Sequence, residues 1–383
     1  MLVAGEPSGD MLAAELVRAI KESPEIRAQP EPPRFFGAGG PEMARAGVEL
    51  ELDMTEHSVM GIGDVLRRYG EFRAIFKRLL RLAANRQPDA IILVDFSGFN
   101  LRFAAAIRRL TKNAGTGFQN WRPKIVNYVS PQVWASRSYR ADSVARTSDL
   151  LLSIIPFEKA WYAERVPSLK VEFVGHPLID RYPQKANPAR GSAAPPLLLL
   201  LPGSRVREIA THLPIMLDAA QQVSKAQPIR VRVTLPSPKL VALAKRHTGG
   251  ARSIEVHEGG LGASLAEAAA AIACSGTVTL ECAWFRVPTV VIYKTSFLFY
   301  AVAKRIVQVK HIAMPNIIAN EMIFPELIQE EVTVGKIVPL TTAGLFRTEY
   351  RNEISRRLDR VIAALGEPGA ASRAAEAVLG IVR

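Results

Sequence analysis

The order of short apolar stretches and helical patterns constrains the fold of this chain more than any other feature. The chain opens with an apolar stretch at residues 2–4, the turn GEPSGD at 5–10, and apolar residues at helical spacing from Leu12 to Ile20. Further buried-strand patterns alternate with helical ones, at 90–94, 125–129 and 150–155. Because strands that alternate with helices pair in parallel, the sequence predicts an α/β fold with a parallel sheet.

A second series of strands begins after a break near the middle of the chain. Residues 183–196 are rich in Pro, Ala and Gly, and an apolar strand pattern resumes at 197–201. The later strand patterns are 230–235, 272–274 and 289–293. We therefore expect two similar α/β domains, 1–182 and 197–349, joined by the linker 183–196.

Composition excludes several classes of protein. The 383 residues are 48% hydrophobic, yet no apolar run approaches the roughly 18 residues that span a bilayer, and no leader pattern precedes the first strand. We expect a soluble, intracellular protein. Cys274 and Cys282 have no C-x-x-C partner and are expected to be buried free thiols. The six histidines lack metal-ligand spacing, so no bound metal is expected.

The net charge of +13 favours an anionic partner such as phosphate, a lipid headgroup or nucleic acid. Residues 64–86 form a basic amphipathic pattern that includes Arg67 and Arg68, next to the apolar Val59, Met60 and Ile62. Two readings stay open. This is either a core-facing helix with a solvated basic side, or one that also touches an anionic membrane surface.

GEPSGD has the form of a ligand-binding turn between a strand and a helix. Gly5 and Gly9 allow a tight turn, and Ser8 and Asp10 can cap the helix, whose N-terminus favours a polar or anionic ligand. The alternative is a well-capped turn with no further role.

In the second half, LPGSRVRE places Ser204 and Arg205 after a strand and before a helix. The Arg205 guanidinium is a permanently charged fork suited to a diphosphate. The alternative is that Arg205 pairs with the nearby Glu208.

Two further loops in this half resemble anion or nucleotide sites. Ser275, Gly276 and Thr277 follow a strand and precede a helix, and Glu281, one turn on, is suited to bind ribose hydroxyls. Alone, such a loop is ordinary helix capping. In the segments MPN and PELIQEE, Asn316 and Gln329 are candidates for amide contacts with a ligand.

Ten motifs together give the chain a family resemblance that covers nearly its whole length. They occur in the order expected for the lipid-A-disaccharide synthases: GEPSGD, FFGAGG with PEM, VMGIGDVL, VDFSGFN, YVSPQVWA, PFE, FVGHPL, LPGSRVRE, CSGTVTLE, and MPNIIAN with FPELIQEE. The resemblance implies a GT-B glycosyltransferase, with two Rossmann-like domains facing a cleft. It also implies that the C-terminal helices, 350–383, pack back on the first domain.

The resemblance further implies a reaction and a set of residue roles. UDP-2,3-diacylglucosamine and 2,3-diacylglucosamine 1-phosphate would give the β(1→6) disaccharide phosphate and UDP, with inversion and without a cofactor. Asp95 would be the general base and Arg205 and 275–277 would stabilise UDP. The remaining carried-over positions are Glu281 at the ribose, Asn316 and Gln329 in the nucleotide or donor-sugar pocket, and Ser8, Gly9 and Asp10 at the sugar and phosphate.

Departures from the family pattern narrow the mechanism. Gly98 stands where the family has a second acid, so Asp95 would act alone. Gln132 and Ser136 also differ from the usual residues, which affects acceptor contacts. Because both substrates are acylated, the resemblance implies a cytoplasmic protein peripheral on the inner membrane. A homodimer that exchanges C-terminal helices stays open.

Two competing functions remain at this point. Another UDP-sugar enzyme, a 2-epimerase or a muramyl-pathway transferase, would share the fold and the ribose site at Glu281. A non-catalytic nucleic-acid-binding protein would explain the basic charge, although no basic run interleaved with aromatic residues supports it.

Overall fold

The structure, a computed structural model, describes residues 1–54, 69–113, 120–182, 194–249 and 253–382. The chain divides into two compact units. The first unit comprises Met1–Arg181 with Leu365–Arg383, and the second comprises Tyr182–Ala364. Each contains a parallel sheet covered by helices, which confirms the predicted α/β class.

The sheet of the first unit has seven parallel strands in the order β3-β2-β1-β4-β5-β6-β7. The strands are β1 (Leu2–Ala4), β2 (Phe36–Gly39), β3 (Glu49–Asp53), β4 (Ala90–Val94), β5 (Lys124–Tyr128), β6 (Leu150–Ser153) and β7 (Val171–Phe173). The helices are α1 (Pro7–Glu22), α2 (Pro24–Arg27), α3 (Pro41–Arg45), α4 (Tyr69–Arg86), α5 (Ser97–Asn113), α6 (Val133–Ser136), α7 (Ala141–Thr147), α8 (Glu158–Arg165) and α9 (Leu178–Arg181), with one 3-10 turn, Ser138–Arg140.

Both faces of this sheet are buried, which explains why its central strands are apolar at successive positions. On one face, Leu2 and Val94 pack with the apolar side of α1, including Leu16. On the other face, Leu93 packs with helices α4 and α5, including Phe103. The carboxyl ends of the strands are therefore the edge where polar loops collect.

The sheet of the second unit has six parallel strands in the order β10-β9-β8-β11-β12-β13. The strands are β8 (Leu197–Leu201), β9 (Arg230–Leu235), β10 (Ile254–Glu258), β11 (Ala268–Cys274), β12 (Thr289–Tyr293) and β13 (Glu326–Ile328). The helices are α10 (Val206–Ala226), α11 (Pro238–His247), α12 (Leu261–Glu267), α13 (Val278–Trp284), α14 (Phe297–Ile306), α15 (Met314–Ala319), α16 (Val334–Phe346) and α17 (Thr348–Ala364), with a 3-10 turn, Gln329–Glu331.

The C-terminal region divides between the units, which corrects the expectation that 350–383 packs as a whole on the first domain. Helix α17 belongs to the second unit, where it contacts α13, α15 and α16, and Asp359 accepts hydrogen bonds from Arg286. The last helix, α18 (Ala370–Val382), belongs to the first unit and packs against α1. The apolar residues of α18, such as Ala374 and Val378, belong to the hydrophobic core of the first unit. Of the two C-terminal helices, α18 therefore packs on the first unit and α17 does not.

The described part of the basic amphipathic pattern is helix α4. Leu79 and Ala83 are buried in the core of the first unit, whereas Arg73, Lys77 and Arg81 are exposed. This is the core-facing helix with a solvated basic side, and it does not decide whether a membrane is also contacted. Val59, Met60, Ile62, Arg67 and Arg68 lie outside the described residues.

A buried polar cluster lies at the carboxyl ends of β5 and β6. The Glu158 carboxyl group accepts a hydrogen bond from Trp134 Nε1 at 2.8 Å, and Ser153 Oγ lies 2.6 Å from its other oxygen. Ser153 Oγ also lies 2.8 Å from the carbonyl oxygen of Ile155, and one hydroxyl proton cannot serve both acceptors. A protonated Glu158 resolves this by donating to Ser153. Burial raises the pKa of the Glu158 carboxyl to about 7, in agreement with that arrangement.

This cluster predicts a pH dependence of stability. Between the ordinary pKa of 4.5 and the folded value of about 7, the folded chain keeps a proton that the unfolded chain has released. The free energy of unfolding should therefore fall as pH rises through this window, by about 3 kcal/mol from this group. Glu158→Gln should remove that part of the slope in urea unfolding measured at several pH values. Glu164→Gln, an exposed change on the same helix, should leave it. Parallel pH profiles of Glu158→Gln and the unsubstituted protein would contradict the prediction.

Candidate active site

The strand order reverses once in each sheet, and four predicted site residues follow the strands on either side of a reversal: Ser8, Asp95, Arg205 and Ser275. In the first unit β1 and β4 are neighbours, and the chain leaves them towards opposite edges of the sheet. In the second unit β8 and β11 have the same relation. Loops at such a reversal separate and leave a crevice outside the carboxyl ends of the strands, where ligands of open α/β sheets bind.

In the first unit, this position brings Ser8 and Asp95 together. Ser8 follows β1 and Asp95 follows β4, and Ser8 Oγ donates a hydrogen bond to Asp95 Oδ2 at 3.2 Å. Asp95 Oδ1 accepts the N–H of Phe96 at 2.9 Å. The Asp95 side chain is partly exposed, so its carboxylate is held in place yet can be reached from solvent.

The backbone around Asp95 is strained. Asp95 and Phe96 both have positive φ angles, 50° and 52°, a conformation that costs non-glycine residues of the order of 1 to 3 kcal/mol each. Buried Asn100 holds this turn, because its amide donates to the carbonyl oxygens of Val94 and Asp95. A Cβ at Gly9 would lie 3.2 Å from the Val94 carbonyl oxygen, a tight contact, so glycine favours the close approach of α1 to the end of β4. Asn100 was missed as a site residue, although it is the last residue of the VDFSGFN motif.

Asp10 has a different place from the one expected. Its carboxylate is buried and accepts the backbone N–H groups of Gly40, Glu42 and Met43 at 2.8 to 3.0 Å. It thus caps α3 rather than its own helix, in which both Ser8 and Asp10 lie within the first turn. Asp10 therefore fixes the loop after β2 beside the GEPSGD turn.

In the second unit, the loop after β8 presents Arg205. Its side chain is 60% exposed, and Nη1 lies 3.3 Å from Glu208 Oε1, so the pairing considered as the alternative is present. Glu208 Oε2 also accepts the N–H groups of Ser204 and Arg205, at 2.9 and 3.2 Å. Gly203 is required because its φ is 122° and a Cβ would lie 2.4 Å from Glu208 Oε2. An exposed ion pair of this kind contributes only about 0.3 to 0.5 kcal/mol, so it leaves Arg205 available to an anion.

The His212 side chain holds this loop by two hydrogen bonds to the backbone. Its Nε2 accepts the N–H of Lys294 at 3.0 Å, so Nδ1 carries the proton and donates to the Pro202 carbonyl oxygen at 3.2 Å. Burial lowers the pKa of His212, so the ring is neutral near pH 7. His212 therefore links the ends of β8 and β12.

The loop after β11 lies beside the Arg205 loop. Ser275 Oγ donates to the Ile312 carbonyl oxygen at 2.7 Å, whereas Gly276 and Thr277 are exposed. The helix that follows, α13, has only seven residues, and Glu281 lies partly buried in its first turn. Gly276 and Thr277 thus remain the accessible part of this motif, and Ser275 connects it to Ile312, just before the MPN segment.

Asn316 and Gln329 are occupied by the protein itself, which corrects their expected place as ligand contacts. Asn316 is buried; its amide nitrogen donates to the Phe324 carbonyl and to Glu326, and its oxygen accepts the N–H groups of Ile323 and Phe324. Gln329 exchanges hydrogen bonds with both backbone groups of Thr295. Both amides therefore shape loops at the edge of the second sheet. Glu326, which sequence reasoning missed, also accepts the N–H groups of residues 312 and 313.

The thiols are buried and free, as expected, and burial raises the pKa of both Cys274 and Cys282 to about 12. Within the described ranges, three or more His, Cys, Asp or Glu side chains nowhere form a group that could hold a metal ion. No helix in this part of the chain combines the length and apolar character needed to cross a membrane.

The role of Asn316 predicts a large loss of stability on truncation. Asn316→Ala removes four hydrogen bonds and leaves buried backbone groups without partners, so the free energy of unfolding should fall by about 2 to 4 kcal/mol. Asn85→Ala, an exposed change within α4, should alter it by less than about 0.5 kcal/mol. Urea unfolding measures both. Equal stability of the two variants would refute the structural role of Asn316.

Solved structures share the fold of the whole chain. An Arabidopsis thaliana protein, UGT89C1, solved in complex with UDP, superposes with a TM-score of 0.61 at 11% identity, covering 100% of this chain and 98% of that one. The UDP-GlcNAc 2-epimerase of Methanocaldococcus jannaschii, in complex with UDP-GlcNAc and UDP, superposes with a TM-score of 0.57 at 11% identity, covering 95% and 98%. The fold is GT-B, as the resemblance implied. Since an epimerase has the same fold, the fold alone does not identify the reaction.

Similarity in sequence identifies the family of enzymes. Residues 1–380 match the family described as lipid-A-disaccharide synthetase. The lipid-A-disaccharide synthase of Anaeromyxobacter dehalogenans (strain 2CP-C) is 36% identical over 392 residues, covering 100% of this chain and 97% of that protein. The reading as a 2-epimerase, a muramyl-pathway transferase or a nucleic-acid-binding protein is therefore set aside. The chain belongs to the lipid-A-disaccharide synthase family and is a GT-B glycosyltransferase of lipid A biosynthesis.

Proposed function

We propose that the protein transfers 2,3-diacylglucosamine from UDP to the 6-hydroxyl of 2,3-diacylglucosamine 1-phosphate, with inversion, to give the β(1→6) disaccharide 1-phosphate and UDP. The family supports a transfer in lipid A synthesis. The observation that carries the chemistry is the partly exposed Asp95 carboxylate, fixed by Ser8 at the strand-order reversal of the first sheet.

Asp95 acts as the general base. The acceptor hydroxyl loses its proton to the carboxylate as its oxygen attacks the anomeric carbon, and the bond from that carbon to the UDP oxygen breaks on the opposite face. Ser8 and the Phe96 N–H hold one orientation of the carboxylate. Asn100 holds the strained turn that carries it. The strain at Asp95 and Phe96 fits a site in which positioning matters more than local stability.

Arg205 stabilises the charge that develops on the departing UDP. Its guanidinium leaves the weak contact with Glu208 and binds the diphosphate bidentately. It stands at the N-terminus of α10, whose 21 residues give a dipole of the right sign for an anion. Gly276 and Thr277 contact the same diphosphate, and the Glu281 carboxylate accepts hydrogen bonds from the ribose hydroxyls. Asp10, Asn316 and Gln329 act indirectly, by holding these loops.

Peripheral association with the cytoplasmic face of the inner membrane follows from the acylated substrates. The exposed arginines and lysine of α4 support it. Residues 59, 60, 62, 67 and 68 extend the same amphipathic pattern in the sequence. We propose that the basic side of α4 meets anionic lipid headgroups, whose attraction to basic residues weakens as salt is added.

If Asp95 is the general base, its substitution should slow sugar transfer without weakening the binding of UDP. Asp95→Asn keeps the shape of the side chain and its contact with Ser8 but cannot accept the proton. We expect kcat to fall by roughly 10² to 10⁴ with the affinity for UDP unchanged. A UDP-release assay and calorimetric titration with UDP measure the two. Asp218→Asn, an exposed change on α10, should retain full activity. Full activity of Asp95→Asn would overturn the assignment.

The leaving-group assignment predicts a different pattern for Arg205. Arg205→Ala should weaken UDP binding and also lower kcat, since removing one such donor costs about 3 to 4 kcal/mol in the transition state. Arg205→Lys should recover only part of this, because an ammonium group cannot bind two phosphate oxygens as a planar fork does. The exposed Arg246 of α11 provides the control, Arg246→Ala. Unchanged UDP affinity and kcat in Arg205→Ala would contradict the assignment.

A further inference from the structure

Exposed apolar side chains are concentrated in one segment of the second unit. Eleven large hydrophobic side chains are exposed in the described part of the chain, and five of them lie between residues 297 and 307. Phe297, Val302 and Phe299 are 78%, 51% and 47% exposed. Scattered single apolar residues are normal on a protein surface, whereas a cluster of this kind marks a contact site.

Three of these side chains share one face of helix α14. Phe299, Val302 and Ile306 are separated by three and four positions, the spacing that places residues on one stripe of an α-helix. Because this stripe is exposed, it is turned away from the core of the second unit.

The charged residues next to this stripe along the chain are all positive. Lys294, Lys304, Arg305 and Lys310 are exposed, and no Asp or Glu occurs between Glu281 and Glu321. Among the ion pairs between described residues, none includes these four cations. An apolar stripe flanked by exposed cations complements the interface of an anionic bilayer, where apolar side chains enter the acyl boundary and cations meet headgroups.

We propose that α14 is a membrane-docking helix of the second unit, whose partner is an anionic phospholipid bilayer. The proposal rests on the proposed function, since acylated substrates lie in such a bilayer. It adds a contact distinct from the basic side of α4 in the first unit. A second docking site ties the unit that carries Arg205 to the surface in which the donor is embedded. The role of Arg205 in transfer does not depend on it.

The apolar part of the proposal is tested with vesicles that contain no substrate. We expect the full chain to bind vesicles of phosphatidylcholine and phosphatidylglycerol, and to bind phosphatidylcholine alone much more weakly. The double substitution Phe299→Gln and Val302→Gln should lower the partition coefficient roughly tenfold. Val382→Gln, on the exposed side of α18, is the matched control and should leave it unchanged. An unchanged partition coefficient in the double variant overturns the proposal.

The role of the cations is tested by comparing two double variants that have the same net charge. Lys304→Glu with Arg305→Glu is compared with Lys245→Glu and Arg246→Glu, two exposed cations in the last turn of α11. We expect the first pair to lower binding to the anionic vesicles by roughly tenfold or more relative to the second, with a smaller salt dependence. Equal losses would show that only the overall charge matters and would overturn the assignment to α14.

Transfer in detergent separates this proposal from the proposed function. With both acylated substrates dispersed in nonionic detergent, the α14 variants should keep the transfer rate of the unsubstituted protein. Loss of transfer there would mean that α14 binds substrate chains, and it would overturn a bilayer role. If the unsubstituted protein bound anionic vesicles through α14 but transferred no sugar, the proposed function would fail and the docking surface would stand.

Discussion

The reversal of strand order at the centre of each parallel sheet is the constraint on which the rest of the structure depends. In a parallel sheet, neighbouring strands end at the same edge, and only at a reversal do their loops diverge and leave room for a ligand. The chain places Ser8 and Asp95 at one reversal and follows the strands of the other with Arg205 and Ser275. Chemistry-bearing residues far apart in sequence are thus set at two defined edges.

Buried carboxyl and amide side chains fix the loop conformations at those edges. Asp10 caps a neighbouring helix, and Glu326 with Asn316 folds the segment after α14. Glu158 holds Trp134 of α6, the short helix after β5. Each such group costs free energy on burial unless its hydrogen bonds are complete, so each fixes one loop conformation. The strained turn at Asp95 persists because Asn100 satisfies its carbonyl groups.

Much of the fold could be predicted from the sequence, because the signals are local. The apolar strands β4 and β8, the helices beside them and the loops that carry Asp95 and Arg205 follow from periodicity and turn residues. The roles of Asn316 and Gln329 could not be predicted, since their partners lie on other segments and an amide suited to a ligand is equally suited to a backbone. The assignment of α17 to the second unit depends likewise on packing against α13 and α16.

The most direct test of the proposed reaction is to give the purified chain its two acylated substrates and identify the product. We predict that UDP and a disaccharide 1-phosphate form in equal amounts from UDP-2,3-diacylglucosamine and 2,3-diacylglucosamine 1-phosphate, with a β(1→6) bond visible by NMR. Unacylated UDP-N-acetylglucosamine should release UDP far more slowly. Turnover of the unacylated donor at the same rate, an α linkage, or epimerisation of the donor without an acceptor would contradict the proposed function.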